Sequence, residues 1–198
     1  MHVVVDSETL ATEELGIQTV GQVLAHLRKG NRLVTSVLVD GQTPDLKELA
    51  SLRARHLNGM TLFVETTEPN TMAHEVLDEL ERHIEEAEKI KSLAVEMLQR
   101  GQQGRALEGL ARCFAAWQTT GEAITKVCRL LDLDTTRLPI RGVSLEDALA
   151  DFARQLRQIR SALESRDFVR LADTLAYETS ELSPTWRSAI GEIRRRVA

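Results

Sequence analysis

Apolar residues recur at alternating steps of three and four along the stretch from Gln103 to Leu131. The series consists of Leu107, Leu110, Phe114, Trp117, Gly121, Ile124, Cys128 and Leu131. This spacing is typical of the face of an α-helix that packs lengthwise against other helices. The pattern therefore predicts one long helix here and further helices beside it.

Similar series on both sides of this stretch predict an all-α domain over residues 70–198. The preceding helix, residues 72–100, carries Ala73, Leu77, Leu80, Ile84, Ala87, Ile90, Ala94 and Met97 at helical spacing. After a linker at residues 132–143, three more series cover residues 145–163, 168–182 and 186–197. Because apolar faces of this kind must cover one another, we expect an up-down bundle of four long helices with a short C-terminal helix.

The first 68 residues show a different pattern, in which short runs rich in β-branched residues alternate with amphipathic stretches. These runs predict strands at residues 2–6, 33–39 and 60–65, and a weak pattern leaves room for another strand in residues 9–18. We therefore expect a small α/β domain at residues 1–68, followed by the bundle, and an α+β fold for the whole chain.

Two segments of this domain predict helix starts. Thr19-Val20-Gly21-Gln22 is a capping box, in which the hydroxyl and the amide each accept a free backbone N–H. Thr43-Pro44 predicts a second start, since Thr is a good N-cap and Pro is tolerated at the first helical position. We expect Asn58-Gly59 to end that second helix.

The order of these elements resembles a small β-grasp, or ubiquitin-like, domain. Four segments carry the resemblance: Val3-Val4-Val5-Asp6, Thr19-Val20-Gly21-Gln22-Val23-Leu24, Val37-Leu38-Val39-Asp40-Gly41 and Asn58-Gly59-Met60-Thr61-Leu62-Phe63-Val64. The resemblance covers about one third of the chain and implies a compact docking module. The same order also allows a three-stranded parallel βαβαβ sheet.

Composition and charge bear on the partners. The chain is 42% hydrophobic and 28% charged, as in an ordinary globular protein, with a formal net charge of −5 and only 4% aromatic residues. This balance argues against a general nucleic-acid or anionic-membrane partner. No apolar run approaches the roughly 20 residues of a membrane span. We expect a cytoplasmic protein.

No pattern of catalytic, metal-binding or phosphate-binding residues stands out. None of the five histidines has Glu three residues before it, and His74-Glu75 begins like a zinc-protease helix without the second His. Cys113 and Cys128 lie too far apart on one helix for a disulfide, and we expect both to be reduced and buried. We therefore predict no metal and no cofactor.

Tyr177-Glu178 and Pro184-Thr185-Trp186 bring two of the three large polar-tipped aromatic residues together around a predicted corner. One interpretation is a corner staple, in which both rings are buried and their polar tips are hydrogen-bonded. The other is a partner-binding patch of Tyr177, Glu178 and Trp186, since such residues are enriched at interface hot spots.

Gly121 interrupts the central apolar series. It predicts either the close approach of a neighbouring helix or the packing of Trp117 over it. A small-molecule pocket created by the missing side chain is the alternative.

These patterns favour a non-enzymatic interaction protein, an adaptor or chaperone-like factor whose small domain docks and whose bundle binds a protein partner. The alternative is a ligand-binding regulatory protein or an enzyme with a pocket at the domain junction, where Glu65, Glu68, His74 and Glu75 gather in sequence. Self-association through an exposed apolar face would give a homodimer.

Overall fold

The computed structural model describes residues 2–197, except for the side chains of Leu46 and Leu49. The chain divides into two compact units, Met1–Met72 and Ala73–Ala198. The first contains a small sheet with two helices, and the second is almost entirely helical. The predicted α+β fold class is therefore confirmed.

The first unit contains a four-stranded mixed sheet. Its strands are β1 (His2–Val5), β2 (Glu8–Thr9), β3 (Leu33–Val39) and β4 (Thr61–Thr67). They lie in the order β2-β1-β4-β3, with β1 parallel to β4 and the two outer strands antiparallel to their neighbours.

This order excludes the all-parallel alternative. The two-residue strand β2 runs antiparallel to β1, so the chain has already reversed its direction before the first helix. The connection through that helix then leads to β3, which runs antiparallel to β1 and β4. The sequence pattern was too weak at β2 to show this reversal. The resemblance to a β-grasp domain stays a prediction.

The first helix, α1 (Val20–Lys29), begins as predicted. The Thr19 hydroxyl accepts the Gln22 backbone N–H at 3.3 Å, and the Gln22 side chain accepts the Thr19 N–H at 3.1 Å. Its inner face, formed by Val20, Val23 and Leu27, is buried. The capping box is therefore confirmed.

The second helix, α2 (Leu49–Ala54), is shorter than predicted. Thr43-Pro44 does not start it, because the Asp45 carboxylate accepts the Lys47 N–H at 2.9 Å and a 3-10 turn precedes the helix. Asn58-Gly59 does not end it either. The chain has already left the helix when the Leu57 N–H bonds the Gln18 carbonyl at 2.9 Å.

The core of the first unit lies between the sheet and its two helices. Its buried apolar members are Val3, Ile17, Val20, Val23, Leu27, Val39, Leu52, Leu57, Met60, Leu62 and Val64. Gly21 sets the distance between α1 and α2, since a Cβ there would lie 2.8 Å from the Arg53 carbonyl oxygen. The contact therefore depends on the absence of a side chain.

Within the described residues, five α-helices lie entirely or almost entirely in the second unit. They are α3 (Pro69–Gln99), α4 (Gln103–Leu130), α5 (Leu145–Glu164), α6 (Phe168–Asp173) and α7 (Leu182–Val197). α3 and α4 pair antiparallel as predicted, because the Cys113 thiol bonds the Ala87 carbonyl while Ile90 lies 3.5 Å from the place that a Cβ on Gly109 would occupy. One continuous apolar core joins α3, α4, α5 and α7.

The fourth helix of the bundle is α7, and this corrects the prediction. Residues 168–182 do not form a long helix, since α6 ends after six residues and a π-helical turn, Thr174–Glu178, follows it. α7 has 16 residues and runs antiparallel to α3, with Ser183 bonded to Glu88 and Arg194 to Glu81. The segment predicted as a short extension therefore supplies the fourth long helix of the bundle.

The linker at residues 132–143 is more ordered than predicted. It ends in a hairpin of two-residue strands, β5 (Pro139–Ile140) and β6 (Val143–Ser144), joined by residues with φ of 53° and 93°. Ile140 is fully buried and anchors the hairpin to the bundle. Ser144 caps α5 as predicted, accepting the Asp147 N–H at 3.1 Å.

Candidate functional site

The predicted site residues occupy different environments. Tyr177 lies on the π-helical turn with 76% of its surface exposed, whereas Trp186 on α7 has none. Glu178 is exposed and its carboxylate accepts the Thr174 hydroxyl at 3.4 Å. The structure therefore does not bring the three side chains into one patch.

Trp186 belongs to the core of the bundle. Its ring meets Phe152 of α5 edge-on, with centroids 5.2 Å apart and an interplanar angle of 82°. The indole N–H has no hydrogen-bond partner among the described residues. Trp186 therefore offers no surface to a partner. The staple interpretation also fails, because it requires a buried Tyr177 ring and a bonded indole.

Tyr177 shares an exposed line with Val169, which is 75% exposed. Residues four apart lie on one helix face, so Val169, Asp173 and Tyr177 follow one another along α6 and the π-helical turn. We call these three residues the Tyr177 face. Among the described large apolar and aromatic residues, Val169 and Tyr177 are the two most exposed.

The π-helical turn is held from inside. The Thr179 N–H bonds the Thr174 carbonyl at 3.1 Å, and the Thr179 hydroxyl donates to the Leu175 carbonyl at 2.8 Å. Thr174, Leu175 and Thr179 are all buried. The turn therefore has a packed inner side that supports Tyr177 on the outer side.

A buried polar cluster joins α3, α4 and α7. The Lys91 ammonium lies 2.6 Å from one Glu88 carboxylate oxygen, and the Ser183 hydroxyl donates to the other at 2.6 Å. The Cys113 thiol donates to the Ala87 carbonyl at 3.4 Å. Lys91 and Ser183 are only 5% and 2% exposed. The cluster fixes the register of α7 against α3.

The two cysteines are free and buried, as predicted. Burial raises the pKa of the Cys113 thiol to about 12, and Glu88 adds to the rise while Lys91 opposes it. Burial likewise raises the pKa of Cys128 to about 11. Both thiols are protonated at neutral pH and act as small core residues.

Lys91 was missed because a charged residue was not expected in an apolar series. The buried positions of α3 are Ala73, Leu77, Leu80, Ile84, Ala87, Lys91, Ala94 and Leu98. Ile90 and Met97, which the apolar spacing predicts on this face, are only partly buried beside it. The unbroken alternation of four and three was the available signal, with Glu88 three residues before Lys91 as the counter-ion.

The C-terminal arginines are paired. Arg194 bonds Asp78 and Glu81 of α3, the latter at 2.9 Å, while Arg195 and Arg196 both pair with Glu192 on their own helix. Over residues 2–197, no group of three or more His, Cys, Asp or Glu side chains is arranged to hold a metal ion. In the same range no helix has the length and apolarity needed to cross a membrane.

Gly121 marks the close approach of α5. A Cβ at this position would lie 3.5 Å from the Phe152 ring and 3.8 Å from Leu149, which is ordinary van der Waals contact. The first prediction for this glycine is therefore confirmed, with Phe152 rather than Trp117 packed over it.

These features define an α+β protein whose second unit is a helical bundle with an exposed tyrosine on the connection to its last helix. Residues 71–189 match the family model DUF8042, a domain of unknown function, and the chain belongs to this family. The matched range includes the Tyr177 face and the polar cluster of Lys91, Glu88 and Ser183. No curated protein and no solved structure matches the chain.

Proposed function

We propose that the protein is a non-enzymatic protein-interaction module, an adaptor or chaperone-like factor. The observation that carries this proposal is the Tyr177 face, where Val169 and Tyr177 are each about three-quarters exposed. Exposed large side chains of this kind are typical of binding surfaces. A tyrosine ring in particular adds a large contact area to an interface and loses little conformational entropy on binding.

The geometry of the Tyr177 face suits a helical or extended protein segment. Val169 and Tyr177 lie two turns apart, roughly 10 to 12 Å along the axis, which is the spacing of two anchor side chains on a partner helix. Asp173 lies between them on the same line and favours a basic residue opposite it. The buried Thr174, Leu175 and Thr179 hold the backbone in place, so little ordering is needed on binding.

The test is affinity capture from a lysate of the source cells with three full-length baits, read out by quantitative mass spectrometry. The baits are the unchanged chain, Tyr177→Ala, and Leu93→Ala as a matched control, since Leu93 is 55% exposed on α3. We expect a protein that the unchanged chain and the Leu93 variant retain and the Tyr177 variant loses.

Two results would contradict the proposal. One is the same set of retained proteins for all three baits, and the other is no specific protein for any of them. Thermal unfolding serves as the folding control, since Tyr177→Ala should change stability by less than about 0.5 kcal/mol at so exposed a position. Light scattering on the full chain distinguishes a homodimer from a monomer. A dimer that is lost in the Tyr177 variant would identify a second copy of the chain as the partner.

We also propose that Met1–Met72 is a β-grasp docking module in a cytoplasmic protein. Its support is the sheet itself, in which the first and last strands pair in parallel at the centre and an initial hairpin precedes the crossover helix. Backbone assignment by NMR, with nuclear Overhauser contacts between β1 and β4, checks the strand order in solution.

A further inference from the structure

The first unit carries an apolar groove between α1 and the edge strand β3. The groove has a volume of about 500 Å³, and its aliphatic lining includes Leu24, Val34, Val37 and Leu52. Leu24, Val34 and Val37 are only partly buried. These side chains complete the core on one side and remain accessible on the other.

The strand beside this groove has an open edge. β3 is the last strand of the sheet, and its inner side pairs with β4. On its outer side, within residues 2–197, the only strand-like pairing is at Val39, which exchanges two hydrogen bonds of 2.9 Å with Gln42. Along a strand, the backbone N–H and C=O groups of every second residue point to the same edge. The backbone groups of Val37, like those of Val39, therefore point away from β4. A backbone segment lying in the groove can pair there.

The charged residues that line the groove are all arginines. Arg28, Arg32 and Arg53 line it, and the described lining residues include no carboxylate. Arg32 is already engaged, since it pairs with Asp6 at 3.0 Å and bonds the Thr66 hydroxyl at 2.8 Å. Arg28 and Arg53 are exposed and form no ion pair with another described residue. Two guanidinium groups are therefore free to bind carboxylates.

We propose that this groove binds an extended peptide segment that has aliphatic side chains at its centre and acidic residues beside them. The aliphatic side chains occupy the surface of Leu24, Val34 and Val37, and the peptide backbone pairs with the open edge of β3. Arg28 and Arg53 bind the flanking carboxylates. An apolar floor and a strand edge favour a peptide over a nucleic acid. This surface is separate from the Tyr177 face, so either proposal can fail without the other.

The test is a fluorescence anisotropy titration of the full chain with a labelled probe peptide. The probe has four alternating valine and isoleucine residues with two aspartates at each end. The test variant is Arg28→Glu/Arg53→Glu, and the matched control is Lys29→Glu/Arg55→Glu, which changes the charge equally at neighbouring positions outside the groove. Circular dichroism confirms that both variants are folded.

We expect the probe to bind the unchanged chain and the control variant saturably. The test variant should bind it at least roughly tenfold more weakly than the unchanged chain does. A probe with lysines in place of the aspartates should bind the test variant more tightly than it binds the unchanged chain. Proline at the centre of the probe removes the backbone donor and should weaken binding without any change in charge. NMR shifts on titration should centre on residues 34–37.

Three results would overturn the proposal. The first is no binding of the aspartate probe to the unchanged chain, and the second is an equal loss of affinity in both double variants. The third is displacement of the probe by a short single-stranded oligonucleotide at comparable affinity, which would assign the arginines to phosphate binding.

Discussion

The two units place a cation and a carboxylate together in opposite ways. At one end of the strands of the sheet, Arg32 and Asp6 pair at 3.0 Å with about a third of each side chain exposed, at 34% and 37%. In the bundle, Lys91 and Glu88 pair at 2.6 Å, and the Lys91 side chain is only 7% exposed although that of Glu88 is 36% exposed. Solvent screens the first pair, whereas the second depends on its partner to offset the loss of hydration.

The helix contacts of the two units differ in the same sense. α1 and α2 meet by backbone, where a Cβ on Gly21 would lie 2.8 Å from the Arg53 carbonyl oxygen. In the bundle, α4 and α5 meet by side chains, and Phe152 leaves 3.5 Å for a Cβ on Gly121. We therefore expect the stability of the first unit to fall when a side chain is added at the helix contact. The stability of the bundle should fall when one member of a packed or paired set of side chains is removed.

The largest effect is expected from Glu88→Ala, which breaks the buried pair. The Lys91 ammonium then stays buried without its carboxylate, and Ser183 loses its acceptor. We expect a loss of about 3 kcal/mol, the low end for buried pairs because Glu88 is partly exposed. Urea unfolding followed by tryptophan fluorescence measures it, since both tryptophans lie in the bundle.

The control for this prediction is Glu86→Ala, which removes the same charge from an exposed position on the same helix. The double variant Glu88→Ala/Lys91→Met should recover most of the loss, since a flexible apolar side chain then fills the buried position. Equal destabilisation by Glu86→Ala and Glu88→Ala would show that the pair contributes nothing specific.

The two glycines provide the next comparison. Gly21→Ala should destabilise the first unit by about 1 to 3 kcal/mol, because its Cβ meets a backbone oxygen that cannot move alone. Gly121→Ala should stabilise the bundle by about 0.5 to 1 kcal/mol, since alanine favours the helix and the space is sufficient. Amide hydrogen exchange reports the first change and tryptophan fluorescence the second. Changes of the same sign would contradict the comparison.

The smallest effect is expected from Asp6→Asn, and it depends on pH. Hydrogen bonds from the Thr66 hydroxyl and backbone, together with Arg32, lower the pKa of Asp6 below its usual 3.8. Ionised Asp6 therefore stabilises the folded state above that value, and this contribution is lost as pH falls through the lower folded-state pKa.

We expect Asp6→Asn to destabilise the first unit by about 0.5 to 1 kcal/mol at pH 7, after allowance for solvent screening. The difference between variant and unchanged chain should vanish in strong acid, which hydrogen exchange of the β1 and β4 amides measures. Glu8→Gln on β2 removes an exposed charge and should show no such pH dependence. A difference that persists in acid would assign the effect to packing.

Local signals predicted most of the elements. The capping box at Thr19 located α1, the β-branched run located β3, and the apolar series located α4 to within one residue of its end. Each of these depends on residues a few positions apart. The α2 start failed because Asp45 offered the backbone a competing local bond, which the Thr-Pro signal does not reveal.

The candidate site was harder to predict than the elements. Tyr177 and Trp186 have similar amphipathic side chains, and only the π-helical turn directs the first outward while the second enters the core. The apolar series continues through Leu175, Thr179 and Leu182, all buried, and so conceals the reversal of the chain. The burial of Lys91 could not be predicted from its own helix, because a buried ammonium is stable here only through its pairing with Glu88 and its packing beside α4 and α7.

By itself, the sequence determined the α+β division, most of the buried face of the long helices and the caps that start α1 and α5, because periodicity and capping act over one or two turns. Only the tertiary structure decided the order of the strands, the place of α7 as fourth helix and the groove between α1 and β3. Those features arise between segments far apart in the chain, where packing and the pairing of free backbone groups select the arrangement.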